Sequence, residues 1–293
     1  MKLDAAFFDT LSRFRIRMGH KSSMNMTGNR KSVQKGSSTE FSDFREYMPG
    51  DEIRRIDWNA YGRLDRLYVK EYMEEKEAVV SVLIDTSASM DFGTKKKSEL
   101  ACKLAAAFGY LGLNNMDRVV VYDLQRMQSP FQVTGGKKGF LRIVDWLEQC
   151  EFQGTVDILE AIKKLPMKGP GVTILLSDFL QESFLDRDGD AVEKLLRFLE
   201  YRRQRPVLLH VLAGEELTVE AVGTRNLIDM EDKSALRLTL DAASIRVYEK
   251  ALQEFTTHIR RTCARHGAFY AICSTERDFQ QLVFQDLREL YDI

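Results

Sequence analysis

The chain has 293 residues, 44% hydrophobic and 30% charged, with only 5 Pro and 18 Gly, which excludes low-complexity, collagen-like and broadly disordered classes. Lys and Arg total 43 against 44 Asp and Glu, a net charge of −1, so the chain as a whole is not built to hold a polyanion, and no nucleic-acid partner is expected. Its four cysteines, Cys102, Cys150, Cys263 and Cys273, form no C-x-x-C pair and predict packed, reduced thiols rather than a zinc ribbon or a disulfide framework.

At the N-terminus, Leu3, Phe7, Leu11, Phe14 and Met18 recur at helical spacing, which predicts a docking helix. Arg13 and Arg17 beside that stripe give the alternative, a peripheral contact with an anionic membrane. Neither a signal-peptide core nor a transmembrane run is present in the sequence, and a cytoplasmic location is expected. From Lys21 to Thr39 the chain is rich in Ser, Gly, Asn and Lys and predicts an extended basic arm. Residues 10–70 carry 13 basic against 7 acidic side chains, and residues 71–293 carry 29 against 35, so the two stretches are electrically complementary. The organisation expected is a helix and arm over 1–36, a distinct segment over 37–77, and a large domain over 78–293.

Within 78–293 strand-like runs alternate with helical ones. AVVSVLID, DRVVVYDL, GVTILLSD, PVLLHVLA and AFYAICS read as strands, with RMQSPFQV as a hairpin partner of the second. Helical patterns separate them, notably over 139–149, 156–165 and 190–203 and in a long helix from Ala242 with Asp241 as its cap and His266-Gly267 as its stop. A last helix is expected to close the chain. The fold class predicted is α/β: a doubly wound, mostly parallel sheet with helices on both faces. Between residues 214 and 240 the alternation breaks into short pieces, which predicts a small β insertion.

Open α/β sheets collect ligands beyond the carboxyl ends of their strands. Three such ends carry oxygen donors: Asp85, Ser87 and Ser89 after the first strand, Thr155 in a later loop, and Asp178 after GVTILLS. Two carboxylates and three hydroxyls suit a hard divalent cation, Mg²⁺ or else Mn²⁺ or Ca²⁺, with positions left for water or an outside carboxylate.

These residues resemble a known constellation. D-T-S-A-S-M at 85–90, Thr155 and S-D-F at 177–179 look like the metal-ion-dependent adhesion site of von Willebrand factor A domains. The preceding stretch FSDFREYMPGDEIRRIDWNAYGRLDRLYVKEY is similar to the signature of bacterial domain-of-unknown-function family 58, whose members carry a von Willebrand A-like domain and accompany MoxR-type AAA+ ATPases. The resemblance implies that Ser87 and Ser89 coordinate metal directly, that Thr155 does so directly or through water, and that Asp85 and Asp178 anchor coordinating waters. It further implies an open position for a partner's Asp or Glu, and an adaptor or co-chaperone role beside such an ATPase. One departure stands in the second loop, where Val156 separates Thr155 from Asp157.

The Arg45–Trp58 block admits two readings. As a folding element, Pro49-Gly50 would turn the chain, Asp51 would bind backbone amides, Asp57 would serve structure, and Ile56 and Trp58 would pack on the sheet. As a partner-facing element, Arg54, Arg55 and Arg63 would pair with acidic groups. Catalysis is not expected. The alternative is a Mg²⁺-dependent phosphotransferase or phosphatase using Asp85 as nucleophile, but position 87 is Ser where a second acid would stand. G-x-S-x-G is absent, and GGKKG at 135–139 lacks the spacing of a phosphate-binding loop.

Overall fold

Burial on both faces of the central strands sets the architecture, which is described from a computed structural model covering residues 5–17, 40–51, 53–73, 79–115, 117–126, 130–133, 135–167, 169–186, 190–219, 223–228 and 235–292. The chain divides into two compact units, 1–20 with 78–293, and 21–77. The basic arm expected at 21–39 lies outside the described residues, as do Leu3 and Met18.

The larger unit begins with helix α1 (Ala5–Leu11) and a two-residue strand β1 (Arg15–Ile16). The smaller unit contains β2 (Glu40–Glu46), a 3-10 turn over Ile53–Arg55, helix α2 (Trp58–Leu64) and β3 (Tyr68–Met73). Strands β2 and β3 pair antiparallel, Glu46 opposite Tyr68.

The larger unit resumes with β4 (Val79–Ile84), α3 (Lys97–Asn114), β5 (Arg118–Asp123), β6 (Phe131–Val133), α4 (Gly136–Glu148), α5 (Ile158–Lys164) and β7 (Gly171–Ser177). It continues through α6 (Glu182–Leu185), α7 (Ala191–Tyr201), β8 (Gln204–Leu212), α8 (Gly214–Leu217) and the hairpin β9 (Gly223–Ile228) and β10 (Ala235–Leu240). It ends with α9 (Ala242–Arg265), β11 (Phe269–Ser274), α10 (Phe279–Gln281) and β12 (Tyr291–Asp292). Among the described residues, six strands form the central sheet in the order β11-β8-β7-β4-β5-β6, all parallel except the edge strand β6.

Every residue of β4 is buried, as expected of a strand covered on both faces. Val80, Val82 and Ile84 join Leu104, Phe108 and Leu111 of α3 and Phe7 and Leu11 of α1 in one core. Val79 and Leu83 face the other way, against Ile158 and Ile162 of α5, Leu195 and Leu199 of α7, and Ile259 of α9. Each such side chain contributes about 1.5–3 kcal/mol over exposure. At Gly112 a side-chain carbon would lie 2.6 Å from Val119, so glycine is what lets α3 approach the sheet so closely. No described helix is long and apolar enough to cross a membrane. The apolar side chains Phe7 and Leu11, which a bilayer would have taken, are buried in the core.

Two expected elements take a different form. The N-terminal helix stops at Leu11 because Arg15 and Ile16 pair antiparallel with Asp292 and Tyr291. The closing helix is replaced by α10, one π-helical turn (Leu282–Asp286), a 3-10 turn (Arg288–Leu290) and β12. Its buried residues, Leu282, Val283, Leu287, Leu290 and Tyr291, are spaced by steps that no single 3.6-residue stripe accommodates. All four cysteines are free thiols.

Candidate functional site

The order of the sheet reverses at β4, with β5 reached on one side and β7 on the other. Such a switch point opens a crevice at the carboxyl edge, and Asp85 lies at that place. Its amide donates to the Leu176 carbonyl at 2.9 Å, continuing the ladder one residue past β4.

Asp85 is fully buried, and both its oxygens are engaged: Oδ1 accepts from the Ser87 amide at 3.0 Å and Oδ2 from the Ser177 hydroxyl at 2.6 Å. Burial, then the neighbouring Asp178 carboxylate, pushes its pKa up to about 6. The Asx turn thus made by Asp85 presents Ser87 and Ser89, whose hydroxyl oxygens stand 3.1 Å apart. The second loop is tied to the first, Gln153 N donating to Thr86 O and Ala88 N to Gly154 O, each at 2.9 Å. Gly154 adopts φ +63°, a left-handed conformation that glycine takes without strain. The exposed Thr155 follows it. The departure noted in this loop has a local cause: Val156 is buried in the α5 side of the core and Asp157 caps α5 through the Glu160 amide.

Asp178 completes the edge. Its Oδ1 accepts from Leu180 N at 3.1 Å and its Oδ2 from the Lys97 ammonium at 2.7 Å. Lys97 also donates to Glu216 Oε1 at 2.6 Å, and Glu216 Oε2 accepts from Ala213 N at the start of α8. Burial alone would lower the Lys97 pKa, but Asp178 and Glu216 outweigh it and raise it. Burial raises Glu216 against the pull of Lys97. Two carboxylates, Asp178 and Glu216, therefore share one ammonium in a region of low dielectric, with the Asp85 carboxylate beside Asp178, which leaves the edge short of positive charge.

Sequence reasoning overlooked Lys97 because it sits in the run Lys95-Lys96-Lys97, which reads as solvated surface. The available signal was its helical phase, four residues before Ala101 and eleven before Phe108, both buried on α3.

Among the described residues no group of three His, Cys, Asp or Glu gathers as a metal cluster, so a cation here would bond to hydroxyls, with carboxylates behind them. The donor chemistry fits a hard ion. Octahedral coordination at about 2.0–2.1 Å places adjacent ligands about 3 Å apart, and the two serine oxygens are 3.1 Å apart. A cation would also relieve the charge deficit at Asp85 and Asp178. Beside these loops runs a cleft of about 500 Å³, lined by Asp91, Glu99, Lys103 and Phe152 among others.

In the smaller unit, Asp51 is gripped by both terminal nitrogens of Arg45 at 2.9 and 3.0 Å and accepts from the Met48 amide at 2.8 Å. This closes the turn at Pro49-Gly50, where Gly50 has φ +110°. Asp57 caps α2 through the Asn59 and Ala60 amides. Ile56 is buried, but Trp58 is 59% exposed, contrary to the expectation that it packs on a sheet: as the first residue of the capped helix it points outward. Arg54 is exposed, and the side chain of Arg55 lies outside the described residues.

A profile of the family described as "Protein of unknown function DUF58" matches residues 43–258. The chain belongs to the DUF58 family. The match takes in all five strand-edge residues and the Arg45–Trp58 block of this DUF58 protein. Uncharacterized proteins of Mycobacterium tuberculosis and Mycobacterium bovis are 26% identical over 253 residues, spanning 83% of this chain and 77% of theirs. Among solved structures, the conserved hypothetical protein BatB from Bacteroides thetaiotaomicron aligns at 14% identity and a TM-score of 0.39, over 73% of this chain and 98% of its own. An aerotolerance-related membrane protein from Bacteroides fragilis aligns at 15% identity and a TM-score of 0.40, over 72% and 99%.

Proposed function

We propose that this DUF58 protein is a non-catalytic, divalent-cation-dependent interaction module of the von Willebrand A type, acting in the cytoplasm as an adaptor or co-chaperone. The observation that carries the reading is the pair of serine oxygens 3.1 Å apart above the buried Asp85. Ser87 and Ser89 would hold Mg²⁺ directly, Thr155 directly or through water, and Asp85 and Asp178 through water. The cation, when bound, supplies an electrophilic centre for a carboxylate of the partner. Asp85 fixes the turn that aims Ser87, and Ser177 holds Asp85 in place. Because few negative charges would bond the ion directly, a partner's Asp or Glu gains by completing the site, and cation and partner bind cooperatively. The family resemblance names the partner class, a MoxR-type AAA+ ATPase. The engagement of both Asp85 oxygens and its complete burial speak against its use as a nucleophile.

Titration of the purified chain with Mn²⁺, read by electron paramagnetic resonance, tests the site. The expected result is one bound ion, displaced by Mg²⁺ and lost in the Ser87→Ala/Ser89→Ala variant. Capture of a co-expressed MoxR-type ATPase should then require both the serines and the metal, and vanish in EDTA. Mn²⁺ binding that is absent, or unchanged by the double substitution, overturns the reading. Phosphomonoester turnover that depends on Asp85 would replace it with the enzyme alternative.

A further inference from the structure

Six of the twelve exposed large apolar side chains among the described residues fall within residues 44–64: Phe44, Met48, Ile53, Trp58, Tyr61 and Leu64. Three of them step along α2 at intervals of three residues, which spreads them over one side of the helix. Trp58 and Tyr61 meet edge to face at 6.3 Å. No residue of α2 is buried, so burial of an apolar face is not what holds this helix. It is held from its ends. Asp57 caps it through two amides, the Asp57 amide donates to the Tyr68 carbonyl at 2.8 Å, and the Asp65 amide returns to the Tyr61 carbonyl at 3.0 Å. Ahead of it, the forked Arg45–Asp51 pair fixes the turn. A seven-residue helix braced at both ends, with Trp, Tyr and Leu turned to solvent, is an apolar surface kept for an occupant.

Charge identifies the kind of occupant. Residues 44–66 hold five Arg and five Asp or Glu, a balance that gives little attraction to an anionic bilayer. The acids are largely spent within the unit: Asp51 on Arg45, Glu46 on Arg66, and Asp57 on the helix cap. Arg54 and Arg63 have no carboxylate partner among the described residues, against Asp65 alone on the acidic side. A second copy of the chain would bring the same surplus of arginine to meet them. Carboxylates on a different protein would satisfy them.

We propose that the exposed Trp58–Tyr61–Leu64 side of α2, with Arg54 in the turn before the helix and Arg63 further round it, is a docking surface for a segment of another protein that carries an apolar ridge accompanied by Asp or Glu. Trp, Tyr and Arg are the residue types that dominate binding energy at protein interfaces, and all three are exposed in this segment. This surface is independent of the strand-edge cation site, and either can fail without the other.

The test selects a phage-displayed library of random 16-residue peptides on the immobilised full chain, in EDTA so that the cation site plays no part. Enriched peptides are synthesised and their affinities measured by fluorescence anisotropy. The expected peptides combine aromatic or aliphatic residues with Asp or Glu. They should bind at least tenfold more weakly to Trp58→Ser/Tyr61→Ser and about fivefold more weakly to Arg54→Glu/Arg63→Glu, with unchanged circular dichroism. Peptides that are basic, or whose binding ignores both variants, overturn the proposal, as does a selection that yields no Trp58-dependent binder. Two further results overturn it in favour of another occupant. One is a wild-type dimer in sedimentation that Trp58→Ser/Tyr61→Ser abolishes. The other is flotation with vesicles of phosphatidylcholine and phosphatidylglycerol that the same variant abolishes.

Discussion

The ammonium of Lys97 lies 2.7 Å from Oδ2 of Asp178, and both side chains are 1% exposed. A single ion pair thereby anchors the third loop of the strand edge to the first turn of α3, and through Glu216 it reaches α8. Removing the ammonium leaves two carboxylates without their counter-charge in a dry region. Lys97→Met is expected to cost about 3–5 kcal/mol in urea unfolding, and Lys97→Met/Glu216→Gln to recover part of the loss. A loss under about 1 kcal/mol would show that water already screens the pair.

Ser177 donates to Asp85 and accepts from the Phe179 amide at 2.9 Å. Ser177→Ala removes both at once and is expected to destabilise by about 1–3 kcal/mol, with a matching loss of Mn²⁺ affinity because Asp85 is freed to turn. Retained Mn²⁺ affinity in a folded variant would show that Ser177 serves the fold alone.

His210 gives a dependence on pH. Its Nδ1 and the Tyr270 hydroxyl are 2.7 Å apart, and its ring stands edge to face with Phe179 and Phe255. Burial lowers its pKa from 6.5 to about 4. Between these values the unfolded chain binds a proton that the folded chain refuses, so stability falls as pH drops below about 6.5 and the loss levels off near 4. At about 1.4 kcal/mol per pKa unit the full effect is roughly 3 kcal/mol. Melting temperatures of the wild type and His210→Gln, taken from pH 7.5 to 4.5, should converge on acidification. Parallel curves would assign the acid sensitivity to other groups.

Tyr291 is fully buried and its hydroxyl has no hydrogen-bond partner among the described residues. Tyr291→Phe deletes a desolvated polar atom without leaving another unpaired, so it should be neutral or stabilise by up to about 1 kcal/mol. Destabilisation beyond 1 kcal/mol in the same urea assay would reveal a partner for that hydroxyl.

Periodicity made the sheet legible. Five apolar runs and one hairpin partner became the six strands, and Asp241 and His266-Gly267 bracket α9 as expected. Asp85, Ser87 and Asp178 were legible because a parallel strand's carboxyl end is known once the strand is. Three features resisted, two of them because long-range contacts overrode local signals. Lys97 was hidden among lysines until Asp178, 81 residues away, drew it inward. The stripe from Leu3 to Met18 broke where Ile16 found Tyr291. Trp58 looked like core because it is large and apolar, yet no residue of α2 is buried, and neither composition nor spacing encodes that.

The pairing of β1 with β12 has a consequence for synthesis. Phe7 contacts Phe279 and Phe284, and Phe14 contacts Phe284 and Tyr291, so residues 7–14 complete their packing only once residues 279–291 have left the ribosome. Until then these phenylalanines lack the aromatic partners that complete their burial. Nascent chains stalled before residue 279 should therefore bind holdase chaperones at their N-terminal segment.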